Sequence, residues 1–127
     1  MDLSNFHEVS KEIRKYDYSI GICIENLYVL CSHCKAKESD CCNLKNDLTE
    51  LAERLAVKTL LKLKINEEYL KDKEVDEKWR WYQSIPEENR DLKADAYEAY
   101  KDADDELSDI RAEIEEIEDH IEATMKD

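Results

Sequence analysis

The sequence from 96 to 124, AYEAYKDADDELSDIRAEIEEIEDHIEAT, decides the fold, because small or apolar residues recur in it every three or four positions. The recurring residues are Ala96, Tyr100, Ala103, Leu107, Ile110, Ile114, Ile117, Ile121 and Thr124. This spacing puts them on one face of an α-helix, as in a coiled coil. The preceding Ser84-Ile85-Pro86-Glu87 has the form of a capping box, so we predict a helix over about 86–125 that begins there.

The rest of the chain shows two further segments with the same periodicity. The first, about 3–34, has its apolar seam at Phe6, Val9, Ile13, Tyr16, Ile20, Cys23, Leu27, Leu30 and Cys34. The second, about 44–83, starts with Leu44, Leu48, Leu51 and Leu55, drifts in register, and resumes at Val75, Trp79 and Tyr82. Residues 21–30 are rich in β-branched and aromatic residues, which leaves a short strand as an alternative there.

Composition agrees with long helices in a single domain, residues 1–127. The 127 residues include one Gly and one Pro, and 41% of them are charged, a mixture typical of amphipathic helices. We therefore predict an all-α protein, an up-down-up bundle of three long helices with coiled-coil-like seams. A Cys-rich loop over 35–43 would lie at one end of this bundle.

A cysteine-rich stretch joins the first two predicted helices. It contains Cys31, Cys34, Cys41 and Cys42, and the Cys-x-x-Cys step is typical of zinc ligation. Because adjacent cysteines seldom both reach one metal, His33 or His120 could replace one of them. Alternatives are an iron–sulfur cluster, a redox disulfide, or cysteines that bind nothing, with Cys23 and Cys34 packed in the seam.

The charge is concentrated near the C-terminus. The net charge is −14, and residues 87–127 hold 17 acidic and 5 basic side chains. Such a surface repels nucleic acid and attracts basic surfaces, or it is a solvated helix face that keeps the protein soluble. The acidic residues predicted to contact a partner are Asp95, Glu98, Asp102, Asp105, Glu106, Asp109, Glu113 and Glu116. The aromatic residues Trp79, Trp81 and Tyr82 are candidates for the same role, or they cap the core.

These features predict a non-enzymatic regulatory protein. The chain has no Gly-rich phosphate loop and no Glu-x-x-His pair, and its N-terminus shows no apolar signal. We expect a cytoplasmic adaptor or inhibitor that binds a basic protein, with zinc holding one helix end. We expect no membrane contact and no direct nucleic-acid binding, and self-association is possible. Two alternatives are an acidic nucleic-acid mimic and a thiol redox or metal-sensing switch.

Overall fold

The described part of the chain is all helical. The computed structural model describes the backbone of residues 1–32 and 39–125, and the side chains of 1–30 and 46–125. Four helices lie in these ranges: α1 (Phe6–Tyr16), α2 (Tyr18–Ser32), α3 (Ser39–Ser84) and α4 (Arg90–Thr124). The all-α prediction is confirmed, and 21–30 is helix rather than strand. The predicted number of three helices is wrong.

The additional helix arises because the first segment breaks at Asp17. The Asp17 backbone is extended (φ −148°, ψ 105°), and its N–H donates to the Ile13 carbonyl at 2.9 Å, which closes α1. Its carboxylate then accepts a hydrogen bond from the Ile20 N–H at 3.2 Å. This is the geometry of an N-cap. One residue therefore ends α1 and starts α2.

The first two helices are antiparallel and form a hairpin. The rings of Phe6 and Tyr28 stack with centroids 4.0 Å apart, and Ser10 donates a hydrogen bond to Glu25 at 3.1 Å. Residues early in α1 thus contact residues late in α2, as a chain reversal requires.

The helices divide into two compact units. Unit 1 comprises Met1–Leu63 and Ile117–Asp127, and unit 2 comprises Lys64–Glu116. The buried core of unit 1 is Leu3, Phe6, Val9, Ile13, Ile24, Ala56, Val57, Leu60 and Ile117.

The reversal at Asp17 changes which face of α2 is buried. The predicted seam is correct in α1, where Phe6, Val9 and Ile13 are buried. It is wrong in α2: Ile24 is buried, while the seam residues Ile20, Cys23, Leu27 and Leu30 are exposed. The predicted spacing of apolar residues continues unchanged from α1 into α2, although the chain reverses direction between the two helices. The α2 residues that follow this spacing therefore face solvent.

The helix α3 begins at Ser39, so the predicted loop over 35–43 is wrong at 39–43, and the first part of that loop lies outside the described residues. From Ser39 the helix continues without interruption for 46 residues, as the absence of Gly and Pro predicts. The buried face of α3 in unit 1 differs from the predicted seam. It is formed by Ala52, Ala56, Val57 and Leu60. Small alanines let neighbouring helices approach closely, which leaves the larger residues at the edge. These exposed residues are Leu48, Leu51 and Leu55.

In unit 2, α3 and α4 pack antiparallel through Val75, Ala103 and Leu107. The predicted α4 seam is confirmed over most of its length, where Ala96, Ala103, Leu107, Ile110, Ile114 and Ile117 are buried. The seam residues Tyr100 and Ile121 are half-buried, and the prediction is wrong at Thr124, which is exposed.

The predicted start of the last helix is four residues too early. The Ser84 hydroxyl donates to the Trp81 carbonyl at 2.7 Å, so Ser84 belongs to the end of α3. A turn follows, in which the Asn89 N–H donates to the Pro86 carbonyl at 3.0 Å. The Asn89 carbonyl then accepts from the Lys93 N–H at 3.0 Å. The helix α4 consequently begins at Arg90.

Candidate interaction surfaces

An aromatic cluster joins α3 and α4 near their connection in unit 2. It consists of Trp79, Tyr82, Tyr97 and Tyr100. Trp79 stacks on Tyr82 with ring centroids 5.4 Å apart and meets Tyr100 at 4.9 Å. Tyr82 also meets Tyr97 at 5.4 Å. The cluster packs the two helices together and still presents part of its rings to solvent.

Of the three aromatic residues predicted to bind a partner, two belong to this cluster. Trp79 is 38% exposed and Tyr82 is half-buried, while Trp81 is 43% exposed. Tyr97 was missing from the predicted set, although its spacing of three from Tyr100 could have placed it beside that residue on the helix.

A small open pocket of about 320 Å³ lies beside the cluster, lined by Tyr82, Glu87, Arg90, Lys93, Ala94 and Tyr97. The Lys93 ammonium lies 5.1 Å from the centroid of the Tyr82 ring and donates to Glu87 at 2.9 Å. This hydrogen bond lowers the pKa of Glu87 and raises the pKa of Lys93. The lysine is therefore already paired, and the pocket offers no free cation at that position. The sequence contained no motif that marked Lys93.

The eight predicted acidic residues form one continuous row on α4. Asp95, Glu98, Asp102, Asp105, Glu106, Asp109, Glu113 and Glu116 are all exposed. At 3.6 residues per turn they fall within an arc of about 100° and extend over roughly 32 Å along the helix. We call these eight residues the acidic row. The buried seam of α4 lies on a different side, so the residues of the row are exposed, and only one edge of the row lies next to α3.

Two members of the acidic row pair with lysines of α3 within unit 2. Lys64 is only 5% exposed and forms an ion pair with Glu113. Lys71 donates to Glu106 at 2.6 Å and to Glu74 at 2.8 Å.

The hydrogen bonds of Lys71 shift the pKa values of Lys71 itself and of Glu74. Bonding to Glu106, and then to Glu74, raises the pKa of Lys71 despite some desolvation. The bond from Lys71 correspondingly lowers the pKa of Glu74. The lysines hold one edge of the row against α3.

The predicted metal ligands Cys31, Cys34, Cys41, Cys42 and His33 lie outside the described side chains. His120 is described and half-buried. It lines a cleft of about 180 Å³ in unit 1, together with residues that include Ser4, Glu50, Glu53 and Arg54. Among the described side chains, no group of three His, Cys, Asp or Glu residues is arranged to hold a metal.

Comparisons with known proteins add no family or relative. No protein-family model matches the chain, and neither the curated proteins nor the solved structures contain a match. Within the described residues, every helix is too short or too polar to cross a membrane.

Proposed function

We propose that this chain is a non-enzymatic regulatory protein that binds a basic surface of another protein through unit 2. The observation that carries the proposal is the acidic row, eight exposed carboxylates on one side of a single helix. From 95 to 116 the helix holds ten acidic and two basic side chains, a net charge of −8. A field of one sign over such a surface accelerates encounter with a partner of opposite charge.

The aromatic cluster supplies apolar contact area, which the acidic row does not provide. Exposed charge pairs contribute little affinity on their own, because water and salt screen them. Partly exposed Trp and Tyr side chains contribute buried area once a partner covers them. Trp79 and Tyr97 are within the same unit as the acidic row and are both more than one-third exposed. The proposed partner therefore combines basic side chains with an apolar contact.

The nucleic-acid mimic is a second proposal for the same surface, favoured by the spacing of the row. Eight carboxylates over roughly 32 Å give about one negative charge per 4–5 Å of helix. One strand of B-DNA carries about one charge per 3.4 Å. Pairing with Lys64 and Lys71 neutralises two of the eight, so the remaining charge density is lower than that of DNA. A mimic would compete with DNA for its partner.

We also propose, from the sequence spacing, that Cys31, Cys34, Cys41 and Cys42 bind zinc in the reducing cytoplasm, with His33 or His120 as a substitute ligand. Such a site would fix the junction between α2 and α3 and leave the partner surface in unit 2 unchanged. A thiol switch at the same cysteines is the alternative, and it predicts oxidant-dependent binding of the partner.

Two charge variants test the role of the acidic row. The row variant carries Asp95→Asn, Asp102→Asn, Asp105→Asn and Asp109→Asn. The control variant carries Asp76→Asn, Glu77→Gln, Asp104→Asn and Glu115→Gln, which are exposed residues of unit 2 outside the row. Both variants lose four negative charges, so they differ only in where the charge is removed.

The probe is a fluorescent arginine-rich peptide, and the readout is its dissociation constant from anisotropy. We expect the row variant to bind at least about tenfold more weakly and the control variant to change by less than about threefold. An equal loss in both variants would show that only net charge matters and would overturn the proposed site. If duplex DNA competes with the chain for a sequence-independent DNA-binding domain, and the row variant does not compete, the mimic is supported.

A further inference from the structure

The helix α2 presents an uncharged apolar face to solvent. Ile20, Leu27 and Leu30 are 37%, 40% and 73% exposed, and Cys23 between them is exposed as well. We call these four residues the α2 face; at 3.6 residues per turn they lie within an arc of about 80°. The only charged residue of α2, Glu25, is turned towards α1, where it accepts from Ser10 and pairs with Arg14.

The absence of charge limits what can cover this face. A basic partner finds no carboxylate here to pair with. A membrane-surface helix normally carries Lys or Arg at its polar edge, and α2 has no Lys or Arg. Two copies of a chain with net charge −14 repel each other, and the repulsion is smallest where they meet through uncharged surfaces. A second copy of this chain is therefore the occupant that the charge distribution favours.

The spacing of the α2 face is self-complementary. Its residues are separated by three, four and three positions, an order that reads the same in both directions. A two-fold axis through the middle of two antiparallel α2 helices would place Ile20 opposite Leu30 of the second copy. It would place Cys23 opposite Leu27. Such reciprocal pairing is what a symmetric dimer interface requires.

We propose that two copies of the chain associate through antiparallel α2 faces. The proposal goes beyond the acidic row, because the α2 face belongs to unit 1. A 15-residue helix is only about 22 Å long, so the buried area falls below the roughly 800 Å² per partner of a standard interface. We accordingly expect a reversible dimer with a dissociation constant in the micromolar range.

Sedimentation velocity of the full chain under reducing conditions tests the proposal at about 1–200 μM protein. The variants are Ile20→Lys, Leu30→Glu and the double variant with both. Leu70→Glu is the control, since Leu70 is 57% exposed in unit 2. Each single variant should weaken association by about tenfold or more, and the control should leave it unchanged. Circular dichroism confirms that each variant is folded.

The double variant tests whether a second copy of the chain or a different partner covers the α2 face. In the antiparallel dimer, the lysine introduced at position 20 of each copy would face the glutamate introduced at position 30 of the other, so association should recover at least partly. Within one chain the two positions are about 15 Å apart along the helix and cannot pair directly. A chain that stays monomeric at the highest concentration overturns the proposal, as does a double variant that shows no recovery. Wild-type chain that remains monomeric but binds uncharged phosphatidylcholine vesicles would assign the face to a lipid surface instead.

Discussion

Gly21 of α2 lies directly against Arg14 of α1. A Cβ atom added to Gly21 would come within 2.2 Å of Arg14 Cγ and 3.1 Å of Arg14 Cα. The second distance involves the backbone, which cannot move aside as a flexible side chain can. The only glycine of the chain thus stands at a position where the two helices of the hairpin approach closely.

Gly21→Ala should destabilise the hairpin even though alanine is the better helix former. Helix propensity favours alanine by about 1 kcal/mol, while a methyl group forced between packed helices costs about 1–3 kcal/mol. We expect a lower free energy of unfolding in urea denaturation. Ser19→Ala, at an exposed position of the same helix, is the control and should have little effect. A more stable Gly21→Ala variant would contradict the close approach.

Which face of α2 is buried can be tested with two truncations. Ile24 is 5% exposed and belongs to the unit 1 core, so Ile24→Ala should reduce the free energy of unfolding by about 2–4 kcal/mol. Leu27 is 40% exposed, and Leu27→Ala should cost less than about 1 kcal/mol in dilute, monomeric protein. Denaturation curves that reverse this order would restore the continuous seam predicted from the sequence.

The sequence predicts the last helix far better than the first. In α4 each seam position from Ala96 to Ile117 alternates with charged residues, so only one face can be buried. In the first segment, α2 has apolar residues on both sides, and periodicity alone cannot decide between Ile24 and Leu27. The evidence for the reversal was local: Asp17 as a cap, followed by the only glycine. Ser84 failed as a predicted cap because a residue at a helix boundary can serve either helix, and here it bonds backward to Trp81.

The positions of the acidic residues were predictable because helical spacing alone places them on one side of α4. Their lysine partners were not, since Lys64 and Lys71 reach Glu113 and Glu106 only through the packing of α3 on α4.

The ion pairs of Lys71 with Glu74 and Glu106 should make the free energy of unfolding depend on pH at acid and alkaline extremes. The pKa of Glu74 is below its ordinary 4.5, so its contribution is present above that value and is lost as pH falls through the lowered pKa. The pKa of Lys71 is above 10.5, so its contribution is present below that value and is lost as pH rises through the raised pKa.

Lys71→Met measures this contribution. Because Glu74 and Glu106 are substantially exposed, we expect a loss of only about 0.5–1 kcal/mol at pH 7. The difference between variant and wild type should shrink as the pH falls through the lowered pKa of Glu74, because the protonated carboxyl no longer pairs with the lysine. Urea denaturation at pH 7 and over a series of acid pH values provides the comparison. A difference that stays constant into acid would show that the loss does not come from the ion pair with Glu74.

Elemental analysis tests the zinc proposal on protein purified without added metal. We expect about one zinc per chain, lost in the Cys31→Ser, Cys34→Ser double variant together with a lower melting temperature. Cys23→Ser is the matched control, because Cys23 lies outside the proposed ligand set. Wild-type protein without zinc, or a double variant that retains zinc, would contradict the proposed zinc site.

Residue-by-residue NMR of the isotope-labelled chain, titrated with the arginine-rich peptide, locates the partner surface. We expect shift changes concentrated at the acidic row, with the Trp79 and Trp81 indole signals also affected. Concentration-matched spectra without peptide remove any contribution from self-association. Changes confined to Ile20–Leu30, or scattered evenly over both units, would contradict the assignment of partner binding to unit 2.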